Sequence, residues 1–122
     1  MKLLPVRALL GGLIGLALLG GQALAAPTHS HAYTVKEVTG KSASGYVFAP
    51  ASLTIHVGDK VTFVDASTPM VHDVVGLDAF STSVIDKTAL DSKSYSVVFK
   101  KKGTYKYHCT IHPGMQGTIV VK

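Results

Sequence analysis

At 122 residues, 47% of them hydrophobic, the chain is long enough for one domain and too short for two. Twelve Lys and Arg face seven Asp and Glu; beyond residue 25, ten Lys, no Arg and the same seven acids leave an excess of about +3. So modest a charge, with no arginine and no interleaving of basic with aromatic residues, argues against nucleic-acid binding. Lys100-Lys101-Lys102 reads as a solvated turn. One cysteine rules out a disulfide framework within the chain.

Residues 1–25 have the form of a cleaved secretory signal peptide. Lys2 and Arg7 precede the apolar run ALLGGLIGLALLGG, and Ala23-Leu24-Ala25 offers a cleavage site. The run has 14 residues, fewer than the roughly 20 needed to span a bilayer, and no Cys follows it to carry a lipid. An uncleaved anchor is the alternative. The expected product is exported, to the periplasm or, from a Gram-positive cell, to the exterior, and is not inserted in the membrane after cleavage. It begins with a flexible leader, APTHSHA (26–32), followed by one domain over 33–122.

Within that domain the pattern is short strands between Gly, Pro, Asp and Ser. YTVKEV (33–38) alternates, and SLTIHV (52–57) sets Leu53, Ile55 and Val57 on one face with His56 on the other. Gly58-Asp59 turns the chain into KVTFVD (60–65), with Val61 and Phe63 inward. VHDVV (71–75), SYSVVF (94–99), TYKYHC (104–109) and GTIVVK (117–122) are further strands, and 76–93 is loop with a helical turn. Seven or eight short strands predict an all-β fold, an antiparallel β-sandwich or small barrel.

A single thiol in an exported protein is a buried inert group, an intermolecular bridge or a metal ligand. Strand parity puts Tyr105, Tyr107 and Cys109 toward the core and Lys106 and His108 away from it, so His108 is not a ligand. Pro113 and Gly114 end the strand, and a loop over 110–115 can bring His112 and Met115 back to the sulfur. Thiolate, imidazole and thioether suit a soft or borderline metal, and His₂Cys with a weak axial Met is the donor set of a type 1 copper site. The second histidine is sought upstream. His72, expected on a strand, is the first candidate, His56 the weaker one, and His29 and His31 belong to the leader. Gln116 is the alternative axial donor. Zinc is disfavoured because Met suits it poorly.

The pattern F-x-P-x-x-L-x-x-x-x-G-D-x-V-x-F over 48–63, then His72, then GTYKYHCTIHPGMQGTIVV over 103–121, resembles the cupredoxins, and among them the plastocyanin and amicyanin group. The short Cys–His–Met spacing is similar to amicyanin. This resemblance implies a Greek-key β-sandwich with one type 1 copper per chain, held by His72, Cys109, His112 and Met115. It further implies single-electron transfer between redox proteins, such as a c-type cytochrome and a dehydrogenase or oxidase, by a monomer that is not itself an enzyme. The group commonly has Asn where this chain has Asp73 and Asp65. A copper-binding protein for storage, delivery or resistance is the alternative function, to which His29 of the leader would add a Cu(II) site. A multicopper oxidase is disfavoured, since Thr stands at 110 and six histidines are too few for its cluster.

Overall fold

The computed structural model describes residues 20–21, 30–66, 70–87 and 93–122. The expected signal peptide apart from Gly20 and Gly21, the expected leader as far as His29, and Pro69 lie outside the described residues. Two sheets face each other. One has the order β2-β1-β4-β7, from β1 (Ala32–Thr39), β2 (Tyr46–Ala49), β4 (Lys60–Asp65) and β7 (Ser94–Val98). The other has the order β3-β9-β8-β5-β6, from β3 (Ser52–Ile55), β5 (Val74–Gly76), β6 (Asp86–Lys87), β8 (Gly103–His108) and β9 (Gln116–Val121). A single helical turn, α1 (Ala79–Thr82), is capped by Asp78, which accepts from the Ser81 N–H at 2.7 Å. No helix among the described residues is long and apolar enough to cross a membrane.

The β-sandwich expected from the sequence is present, but its sheets are mixed. β1 runs parallel to β4 and β3 parallel to β9, because the chain crosses to the other sheet between the paired strands. Two strands, β2 and β6, escaped the sequence reading; at four and two residues they are too short to display an alternation. Two other expectations need correction. The fold begins before residue 33, since Ala32 already pairs in β1 and His31 is tied by its N–H to Asp59 Oδ1 at 2.7 Å. Val57 does not face the core: β3 ends at Ile55, and Val57 is 44% exposed in the turn before Gly58, whose φ of 96° the turn requires.

Between the sheets lie two aromatic groups. Phe48, Phe63 and Tyr107 meet edge to face, with centroids 4.9 to 6.3 Å apart. Nearer the other end of β8, Phe80 stacks on Tyr105 at 4.6 Å and Phe99 meets it edge-on at 5.0 Å. Gly117 makes room for the first group: a Cβ there would collide with the Tyr107 ring. A rigid core of this kind fixes the direction in which β8 delivers Cys109.

Candidate metal centre

β8 ends at His108, and its parity sends Tyr105, Tyr107 and Cys109 inward (0, 0 and 3% exposed) while Lys106 faces solvent. The chain then makes one tight loop before β9. The Met115 N–H donates to the His112 carbonyl at 3.2 Å, and the Cys109 N–H to the Met115 carbonyl at 3.0 Å. Gly114 occupies the left-handed region, with φ 80°, and its backbone lies against Ala43 of the β1–β2 loop. That loop braces the turn through the Ser44 N–H, which donates to the Pro113 carbonyl at 3.1 Å. The result returns His112 to the cysteine: Sγ and His112 Nδ1 are 3.5 Å apart.

His72 joins them. One donor atom each from His72, Cys109 and His112 lies within 4.8 Å of the others, and all three residues are buried. Contrary to the sequence expectation, His72 is not on a strand; β5 begins only at Val74. Strand parity therefore fails around it, and Asp73 is buried beside it (1% exposed) instead of facing away. Met115 is 1% exposed and so buried at the same end, whereas Gln116 opens β9 facing solvent and is no axial candidate. His56 is exposed in the turn after β3, the turn that leads into the start of β4, remote from the cluster. His108 pairs with Gln116 and stays out of it, as its parity required.

Asp73 links the two ligand segments. Its backbone N–H points at Cys109 Sγ at 3.5 Å, while its carboxylate accepts from the Thr110 N–H at 2.6 Å and from the Thr110 hydroxyl. One residue thus orients the sulfur and holds the loop that follows it. Burial drives the His72 imidazole to a pKa below its ordinary value, which keeps it neutral and able to donate to a metal. The Cys109 thiol is pushed up by burial, against the pull of the Asp73, Ile111 and His112 N–H groups. A cation is what would make thiolate the favoured form there. This soft, buried donor set of one sulfur and two imidazoles fits copper.

Two residues at the site were not singled out from the sequence. Tyr46, at the start of β2, packs on both ligand rings, with centroids 5.1 Å from His72 and 4.5 Å from His112. The His72 and His112 rings are themselves 4.7 Å apart. Glu37 of β1 is fully buried, and neither carboxylate oxygen has a hydrogen-bond partner among the described residues. Burial, then the nearby Asp65 and Asp73, push its pKa up to about 7. Its signal was in the sequence, because in an alternating β1 it shares the inward parity of Val35.

Residues 34–122 match the family of copper binding proteins that comprises plastocyanin and azurin. Plastocyanin A/B of Petroselinum crispum is 32% identical over 92 residues, covering 67% of this chain and 94% of that protein. Amicyanin of Paracoccus denitrificans is 38% identical over 72 residues, which is 57% of this chain and 54% of amicyanin. Among solved structures, a reduced amicyanin variant superposes with a TM-score of 0.60 at 28% identity, covering 73% of this chain and 80% of that one. A purple cupredoxin from Nitrosopumilus maritimus shares the fold, with a TM-score of 0.62 at 24% identity over 74% of this chain and 99% of that one. The chain belongs to the plastocyanin/azurin family of copper-binding proteins and is a small blue copper protein of electron transfer.

Proposed function

We propose that His72, Cys109 and His112 hold one copper ion, with Met115 as a weak fourth ligand, and that the protein carries single electrons between redox proteins outside the cytoplasm. The observation that carries this reading is the convergence of three buried donors, one of them the only cysteine, within 4.8 Å. Copper bound there supplies a Cu(II)/Cu(I) couple. The chain supplies a nearly fixed donor set, because a carrier exchanges electrons fastest when its ligands barely move. Cys109 is set by the strand behind it, His112 and Met115 by the backbone bonds of their loop, and His72 by its neighbour Asp73, which clasps Thr110.

Electrons enter and leave where the ligands approach the surface. His112 is 7% exposed, and around the ligand segments Met70, Val71 and Ile111 are 39, 52 and 50% exposed, with Pro113 and Gly114 beside them. Such a small apolar rim suits brief docking to a redox partner, such as a c-type cytochrome on one side and a dehydrogenase or oxidase on the other. We further read the protein as a monomer without enzymatic activity, exported to the periplasm (or the exterior of a Gram-positive cell) with loss of residues 1–25.

Storage or delivery of copper would use the same four residues, and one experiment separates the two readings. The copper-loaded protein is reduced with ascorbate, freed of reductant and mixed with excess ferric c-type cytochrome. Electron transfer predicts one equivalent of reduced cytochrome per chain while the protein turns blue and keeps its copper. A protein that stays colourless, and gives up its copper to a competing chelator before any cytochrome is reduced, would favour delivery.

A further inference from the structure

The end of the sandwich opposite the metal centre carries the second feature that asks for a partner. β8 runs from Gly103 to His108 and delivers Cys109, so the loop before it lies about 20 Å from the cysteine at the rise of an extended strand. That loop is Lys100-Lys101-Lys102, all exposed. It does not stand alone. The Phe99 N–H donates to the Asp59 carbonyl and the Gly58 N–H to the Phe99 carbonyl, which brings the loop beside the β3–β4 turn and the exposed Lys60. The only acid in 56–60 or 99–104 is Asp59. It is fully buried, and its carboxylate accepts the N–H groups of His31 and His56 at 2.7 and 2.8 Å. No exposed carboxylate in these segments opposes the four lysines, and the apolar Val57 stands among them at 44% exposure.

Lys122 is at this end as well, its carbonyl accepting the Val57 N–H, and Lys106 lies midway along β8. Lys36, Lys41, Lys87 and Lys93 lie toward the metal end, where Asp65, Asp73, Asp86 and Glu37 also lie. Exposed Asp78 lies beside Lys106, so among the described residues lysines and acids balance at the metal end, while lysines exceed acids at the far end. The N-terminal segment joins the fold there too: the Lys60 N–H donates to the His31 carbonyl, so residues 30 and 31 sit at the lysine-bearing end. Upstream of them the sequence holds the apolar run of residues 8–21. The nine residues between, 22–30, extend to about 30 Å at most. Until residues 1–25 are removed, a chain leaving a bilayer through that run presents this end to the headgroups, with the metal end turned away.

We propose that the end formed by Lys60, Lys100, Lys101, Lys102 and Val57 adsorbs on an anionic phospholipid surface and holds the metal centre outward, toward its redox partners. The inference takes from the proposed function that the protein works outside the cytoplasm. Binding is read without any electron transfer, so the two can fail separately. All the strands and ligands of the site lie within 32–121, so the copper-loaded chain 26–122 serves for the test and spares it the apolar run. Its blue band reports an intact site throughout.

The measurement is co-sedimentation with phosphatidylcholine vesicles, with and without phosphatidylglycerol. Expected is binding to the anionic vesicles alone, released by about 0.5 M salt, where screening is within a few ångströms. Replacing Lys100, Lys101 and Lys102 with Gln should weaken it about a hundredfold, from about fivefold per lysine near a charged surface. Replacing Lys36, Lys41 and Lys93 with Gln should leave it nearly unchanged. Equal loss in the two triple variants would show attraction by net charge without an oriented face, and would overturn the proposal. So would equal binding to neutral vesicles, no binding at all, or binding to polyglutamate but not to anionic vesicles, which would mark an acidic protein as the partner.

Discussion

Asp59 and Glu37 are both carboxylates with no exposed surface, one at each end of the sandwich, and their surroundings differ in kind. Asp59 accepts two backbone N–H groups, those of His31 and His56, which hold its pKa below the ordinary value. Glu37 has no hydrogen-bond partner among the described residues and is raised to about 7. The two buried tyrosines of β8 repeat the contrast. The Tyr105 hydroxyl donates to the Lys101 carbonyl at 2.6 Å, while the Tyr107 hydroxyl, closer to the cysteine, has no described partner. A satisfied polar group clamps a fold, whereas an unsatisfied one costs stability. The far end is built to hold together, and the half next to the metal centre gives up stability around its ligands, as functional sites commonly do.

The largest test of that contrast is pH. As pH rises past the ordinary Glu value of 4.5, the unfolded chain loses the Glu37 proton while the folded chain keeps it to about 7. The folded state binds more protons across that window, so stability falls with rising pH, by up to about 3 kcal/mol for this group. Denaturant unfolding of wild type and Glu37→Gln at pH 4.5 and 8 should show this decline in the difference between them. A constant difference would mean that Glu37 is solvated. Asp59 works in the opposite sense: its contribution is complete above the ordinary Asp value of 3.8 and is lost as pH falls through its lowered pKa. It therefore shapes the acid limb alone.

A smaller effect separates the tyrosines. Tyr105→Phe removes a made hydrogen bond and should cost about 1 kcal/mol, while Tyr107→Phe removes an unpartnered hydroxyl and should be neutral or stabilising. Equal losses would erase the contrast between the halves. The smallest effect expected concerns Asp73, whose carboxylate sits one residue from a ligand and holds Thr110. Its negative charge favours Cu(II), so Asp73→Asn should raise the reduction potential by a few tens of millivolts, under about 1 kcal/mol for one electron. Voltammetry finding no rise would mean that the carboxylate acts on the loop alone.

Much of this was legible in the sequence where local rules held. Alternation placed Val61, Phe63, Tyr105, Tyr107 and Cys109 inward, and the tight Cys–His–Met spacing located the ligand loop. The reading failed where strands stop. It extended β3 to Val57 and β5 back to Val71, because a run of apolar or β-branched residues does not announce its last ladder bond. Asp73, Glu37 and Tyr46 acquire their roles from contacts between segments about 25 to 65 residues apart. No local pattern carries such contacts. Nor does alternation distinguish β1 beside β4 in parallel from a hairpin partner.

The most direct measurement is the optical and EPR spectrum of chain 26–122, titrated with Cu(II) beside Cys109→Ser. Wild type should give an intense blue band and a narrow copper hyperfine splitting, both bleached by ascorbate, saturating at one copper per chain and absent from the serine variant. Weak colour with ordinary Cu(II) splitting, the same in both proteins, would place the copper away from Cys109 and contradict the site described here.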